Sequence, residues 1–169
     1  MTAVVCVLAP FSIPIGPVPI SFATFAIYVT VIVLGRKRAT IVCLMYLLIG
    51  FVGLPVFSGF TGGPTRLLGP TGGYFGGYLL LTIIAGWFVD KFSEKKWMCL
   101  LGLILGTMVC YAVGTVWLAF QMEIDFPVAF MLGVVPFIFG DAIKIVVAVW
   151  VGSVIRSRLK RSGFLENKS

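Results

Sequence analysis

Apolar residues in this chain do not alternate with polar ones; they gather in long runs broken by short polar stretches. Runs of this kind predict six membrane segments, at about 1–13, 19–34, 39–54, 74–90, 97–120 and 136–156. The first is cut short by Pro14 and, at about 1.5 Å per residue, is too short to span comfortably alone. Several others fall below the roughly twenty residues a span usually needs. Such helices cross a bilayer when it thins or when neighbouring loops fold back into the bundle. A transmembrane β-barrel would instead show segments of about ten residues with alternating polarity.

Composition agrees with the pattern. Of 169 residues, 60% are hydrophobic and 11% charged, against about 25% charged in a soluble domain. Water would not tolerate that much apolar surface, so the solvent is lipid and the class is a polytopic, all-α membrane protein. The net charge of +7 does not point to nucleic acid, because the basic residues are scattered in short clusters between apolar runs. Cys6, Cys43, Cys99 and Cys110 lie singly inside apolar stretches without metal-ligand spacing, and read as small buried hydrophobes. There is no histidine, which removes the commonest general base and metal ligand. The N-terminus lacks the basic region and cleavage site of a signal peptide.

Eleven of the thirteen basic residues follow the second, fourth and sixth segments: Arg36, Lys37 and Arg38; Lys91, Lys95 and Lys96; Arg156, Arg158, Lys160, Arg161 and Lys168. With six segments, all of these fall on one side. The positive-inside rule makes that side cytoplasmic, with both termini there. The other side receives FSIPIGPVP, a long loop at about 55–73, and QMEIDFP with Glu123 and Asp125.

Two cations are left over, Arg66 and Lys144. Lys144 stands three residues after Asp141 inside an apolar segment, a spacing that puts both on one helix face. Charges at such depth carry an insertion penalty of roughly 2.5–3.5 kcal/mol each and usually face a cavity or mark function. The alternative is a mutually neutralising pair that only fastens helices. Arg66 lies in FSGFTGGPTRLLGPTGGY, which is too long and too apolar for a simple connector. Glycine lets backbones approach closely and proline fixes turns; irregular backbone sits at membrane depth only where protein buries it or a cavity is present. The loop is therefore expected to close over the outer mouth of the bundle, either as a lid on a ligand or as a structural cap.

This loop is not a phosphate-binding P-loop, since it lacks the Gly-Lys-Ser/Thr ending. No nucleophile–base constellation can be assembled either, so binding without catalysis fits better. Phe57, Phe60, Tyr74, Trp117 and Phe137 lie near the predicted outer ends of segments. They serve either as interfacial anchors or as walls of a pocket for an apolar ring.

The motifs GPVPIS, GLPVFSGFTGG, GPTGGYFGGY and PFIFGDAIK, in this order, are similar to those of the BioY family, the biotin-binding S components of energy-coupling factor (ECF) transporters. The resemblance runs from about Pro14 to Arg158. It implies a single six-helix S-component domain with both termini cytoplasmic and a biotin site near the outer face. It also implies docking to a transmembrane coupling protein with two ATPase subunits, which use the ATP; no cofactor is implied for this chain.

Carried onto this sequence, GDxxK makes Asp141 and Lys144 the ligand-contacting polar pair. Asp141 would accept from a ureido N–H, and Lys144 would meet the ureido carbonyl or the valerate carboxylate. Arg66 becomes the bidentate partner for that carboxylate, with Thr71 and Tyr74 as further contacts and Phe57 and Trp117 packed on the bicyclic ring. Two departures stand out. Where the family commonly has Thr-Leu-Gln after PVP, this chain has Ser21, Phe22 and Ala23 (after an intervening Ile20), so a polar residue is missing. The small-xxx-small pattern that S components often use to dock is reduced here to Thr2-xxx-Cys6 and Ala3-xxx-Val7, whereas close helix approach favours Gly, Ala and Ser.

Overall fold

The computed structural model describes residues 1–14, 18–92 and 95–162. Gly16 and Pro17 of GPVPIS, and Lys168 of the last basic cluster, lie outside the described residues. The chain forms α1 (Thr2–Leu8), β1 (Ser12–Ile13), β2 (Ile20–Ser21), α2 (Ala23–Phe51), α3 (Pro64–Leu68), α4 (Gly72–Lys91), α5 (Lys96–Met122), α6 (Phe126–Gly133) and α7 (Val135–Arg161). The two short strands pair antiparallel, Ser12 with Ser21 and Ile13 with Ile20.

α2 takes in most of the second and third predicted segments, separated by a break at Gly35, where φ is +74°. The start expected at about 19 is instead taken by β2, and the end expected at about 54 falls in the loop after Phe51. An L side chain avoids this left-handed region, and the space a Cβ would take is filled by the Asp90 carboxylate. In an unbroken helix the Arg36 N–H would donate to the Ile32 carbonyl. Here it donates to both Asp90 carboxylate oxygens, at 3.3 and 3.2 Å. The released Ile32 carbonyl accepts from Arg156 Nη1 at 2.7 Å. Two charged side chains from α4 and α7 thus satisfy the backbone groups that the break exposes.

The contacts fix the directions of the helices. The first half of α2 runs parallel to α7, with Thr24 beside Asp141 at one end and Ile32 beside Gly152 and Arg156 towards the other. The second half runs antiparallel to α4, bonding Thr40 to Thr82 at 3.2 Å. α4 and α5 pack antiparallel through glycines: Gly73 lies against Trp117, Gly77 against Cys110 and Gly102 against Phe88. Side chains on the partner helix occupy the space these glycines leave, as in membrane interfaces rich in small residues.

The bundle therefore has two unlike ends. One gathers the Gly35 break, the C-termini of α4 and α7 and the N-terminus of α5, and with them the described residues of the predicted basic clusters. The other gathers the β1–β2 strand pair, the 52–71 loop with α3, and α6. α4, α5 and the stretch Phe126–Leu159, which joins α6 to α7, are each long and apolar enough to cross a membrane. α1 is shorter than the 1–13 segment expected for it, because the chain leaves the helix after Leu8 and enters β1.

Candidate binding site under the 52–71 loop

Asp141 and Lys144 share one face of α7, with Lys144 Nζ 2.9 Å from Asp141 Oδ1. Among the described residues this is the one ion pair between side chains. Asp141 is buried, at 3% exposure. A carboxylate is tolerated at that depth only if its charge and lone pairs are matched, and three elements match it. Thr24 of α2 donates its hydroxyl to Oδ1 at 3.2 Å, and Tyr111 of α5 donates to Oδ2 at 2.7 Å. Lys144 also reaches the Ser21 carbonyl at 2.8 Å and the Thr24 hydroxyl at 3.1 Å. The group is neutral overall and ties α2, α5 and α7 together.

Above this group lies a slender cavity, about 50 Å³ within some 660 Å³ of empty space that includes its mouth. Its polar walls come from Ser21, Thr24, Tyr28, Thr107, Tyr111 and the ion pair, and its apolar walls from Val18, Phe57, Leu81 and Phe137. Tyr28 and Thr107 bond to each other at 2.9 Å. The mouth is lined by Ser58, Thr61, Arg66 and Thr71. The loop over it is well tied down: Gly59 N–H donates to the Pro10 carbonyl at 2.9 Å and Gly63 N–H to the Gly50 carbonyl at 2.7 Å. Gly62 lies directly against the Leu54 carbonyl.

Six of the seven residues singled out from the sequence line this cavity: Phe57, Arg66, Thr71, Tyr74, Asp141 and Lys144. Arg66 sits in the last turn of α3 and is exposed, with no carboxylate partner among the described residues. Tyr74 spends its hydroxyl on the Gly133 carbonyl at 2.8 Å, so its ring rather than its oxygen faces the space. Phe57 is fully buried and stacks on Phe75, centroids 4.5 Å apart.

Trp117 is the exception. Its indole N–H donates to the Gly69 carbonyl at 2.9 Å, and its side chain fills the gap left by Gly72 and Gly73. It does not line the cavity. The close approach of α4 and α5 pins this tryptophan beneath the loop, where it holds GPTGG in place.

Ser21, Thr24, Tyr28, Thr107 and Tyr111 were not anticipated. Two of these pairs, Thr24 with Tyr28 and Thr107 with Tyr111, recur at i, i+4 inside apolar runs. That is the spacing of one helix face, the same kind of signal that singled out Asp141 and Lys144. A wider cleft of about 590 Å³ opens sideways between α5, α6 and α7. Its walls are almost wholly hydrocarbon, and it meets the first cavity only at Thr107, Tyr111 and Asp141. The polar chemistry lies on the cavity side.

Fold and site together define a multi-span helical membrane protein whose buried ion pair faces a cavity under a folded loop. The comparisons with known proteins agree with that description. A family model described as the BioY family matches residues 1–161. The Biotin transporter BioY of Thermotoga maritima is 39% identical over 160 residues, covering 95% of this chain and 91% of the relative. Biotin transporter BioY2 of Lactococcus lactis is 34% identical over 166 residues, covering 98% and 91%. A crystal structure of the S-component for biotin from an ECF-type ABC transporter superposes with a TM-score of 0.86 at 33% identity, covering 92% of this chain and 86% of the other. The chain belongs to the BioY family. It is a multi-pass protein of the cell membrane.

Proposed function

We propose that this chain captures biotin at high affinity as the S component of an ECF-type transporter and delivers it, chemically unchanged, to an ATP-driven coupling module. The observation that carries the reading is the neutral Asp141–Lys144 group, buried yet lining a cavity. A pair serving only to fasten helices has no need of a cavity beside it. Biotin's ureido ring presents N–H donors and a carbonyl acceptor to a carboxylate and an ammonium that lie side by side. Its valerate carboxylate points to the mouth, where Arg66 offers a planar, bidentate partner. Phe57 and Phe137 flank the bicyclic ring, and the Tyr74 ring and Thr71 complete the wall. The cavity is narrow for a vitamin, since ligand sites commonly measure about 300–1,000 Å³. The 52–71 loop therefore opens to admit the guest and closes over it.

In this reading the whole chain is one S-component domain. The end rich in Arg and Lys faces the cytoplasm, as the positive-inside rule requires, and the loop faces outside. A transmembrane coupling protein and two ATPase subunits supply the energy. Calorimetry of the purified chain tests the proposal directly. Tight one-to-one binding of biotin, undiminished by an excess of other B vitamins, is expected. Absence of any biotin heat, or displacement by another vitamin, overturns it.

A further inference from the structure

The basic end of the bundle holds a second polar cavity, about 110 Å³, lying between the first half of α2, α4, α5 and α7. Ile32 and Val89 contribute apolar wall, while Lys96, Ser153, Arg156 and Ser157 supply the polar groups. No carboxylate lines it among the described residues. Asp90, at the same helix break, is taken up by the Arg36 N–H. Arg156 is only partly satisfied. Its Nη1 donates to the Ile32 carbonyl, but its buried Nε has no partner among the described residues. A buried donor left without an acceptor is unfavourable, the more so when it is charged. Lys96 opens α5, so the positive end of a long helix adds to the same field.

The depth of this cavity narrows the choice of ligand. Trp97 and Trp150 are 77% and 68% exposed, and Lys91 lies over the Trp87 ring at 5.0 Å from its centroid. Exposed tryptophans beside lysines mark the headgroup level of a bilayer. At that level the abundant anion is the phosphodiester of a lipid, and basic pockets between membrane helices suit such headgroups. The Arg156 guanidinium and the Lys96 ammonium are the charged donors that a phosphate group requires. The Ser153 and Ser157 hydroxyls, which donate to the Trp150 and Val154 carbonyls at 2.9 and 2.8 Å, join them by turning away from those carbonyls. The volume admits the phosphate while leaving the acyl chains outside, along the apolar helix faces.

We propose that this cavity binds the phosphate of an anionic phospholipid, thereby bracing the break in α2 from the basic end. The inference is independent of what the outer cavity binds. The test compares thermal unfolding of the whole chain in nanodiscs of phosphatidylcholine alone with nanodiscs containing phosphatidylglycerol, alongside native mass spectrometry. Phosphatidylglycerol is expected to raise the unfolding midpoint and to remain bound in the spectrometer. Lys96→Gln and Ser153→Val are expected to remove most of that increment, and Lys37→Gln, at the same end but outside the cavity, to retain it. Arg156→Lys should act like Lys96→Gln; because Arg156 also caps Ile32, the Lys96 and Ser153 variants decide the matter if it unfolds. No increment over phosphatidylcholine alone, or one that survives in both Lys96→Gln and Ser153→Val, overturns the proposal. Equal loss in Lys37→Gln would reduce it to diffuse surface charge and overturn it too. The same increment from inorganic phosphate in detergent would assign the cavity to a free anion and defeat the lipid assignment.

Discussion

Tyr111 of α5 donates its hydroxyl to Asp141 of α7 at 2.7 Å, and this bond closes the wall between the polar cavity and the apolar cleft beside it. Both spaces are lined by these two residues. The tyrosine therefore has two tasks: it satisfies one carboxylate oxygen and keeps hydrocarbon away from the charged pair. Tyr111→Phe removes a hydrogen bond to a charged group, worth about 1.5–3 kcal/mol. Biotin affinity is expected to fall about tenfold or more in calorimetry, while circular dichroism still reports a folded helical protein. Unchanged affinity would show that the guest does not depend on an oriented Asp141.

The ion pair separates binding from fastening. Asp141→Asn alone leaves Lys144 buried without its counter-charge, and loss of one partner of a buried pair is unfavourable by about 3–5 kcal/mol. The double variant Asp141→Asn, Lys144→Met removes both charges and should recover most of that stability in thermal unfolding. Biotin binding should remain abolished in both. A double variant that binds biotin like the parent would reduce the pair to a helix fastener.

Arg66 is predicted to read the valerate carboxylate. Arg66→Ala should weaken biotin about tenfold or more, the worth of a charge-assisted hydrogen bond. Biotinamide, which has no carboxylate, should bind the parent and the variant alike. Equal losses for the two ligands would mean that Arg66 acts through the loop rather than through the carboxylate.

Gly35→Ala places a methyl group in left-handed backbone and in the space held by the Asp90 carboxylate. Backbone strain of about 1–2 kcal/mol adds to loss of the Asp90 cap, itself worth about 0.5–2 kcal/mol. The unfolding midpoint should drop, and Asp90→Ala should lower it by a smaller amount. A neutral Gly35→Ala would show that the two halves of α2 do not need this break.

Orientation is open to a direct check. In whole cells, a membrane-impermeant maleimide should label Ser58→Cys, in the loop, and spare Lys37→Cys until the membrane is permeabilised. The reverse pattern would invert the assignment of the two ends.

Much of the site was readable because a charge in a lipid-embedded run has so few permitted explanations. Asp141 and Lys144 announce themselves by three-residue spacing among apolar neighbours, and their pairing follows from helix geometry. Thr24 and Tyr111 share one-face spacing with Tyr28 and Thr107, but an uncharged hydroxyl is a weaker signal than a charge. A hydroxyl in a membrane helix commonly bonds its own preceding turn, as Thr30 does with the Ala26 carbonyl at 2.7 Å, so its presence does not by itself indicate a site. Trp117 looked like a ring for the ligand because it lies near a predicted segment end. Its actual place was set by glycines on a different helix, Gly72 and Gly73, which no local pattern connects to it.

The sequence by itself determined the lipid solvent, the grouping of the basic clusters and the buried pair, because hydropathy, charge and helical spacing act over a few residues. Only the tertiary structure decided which hydroxyls complete the pair, how Asp90 and Arg156 close the break at Gly35, and which aromatic rings face the cavity. Those outcomes depend on contacts between residues far apart in the chain, where the shape of one helix selects its partner on another.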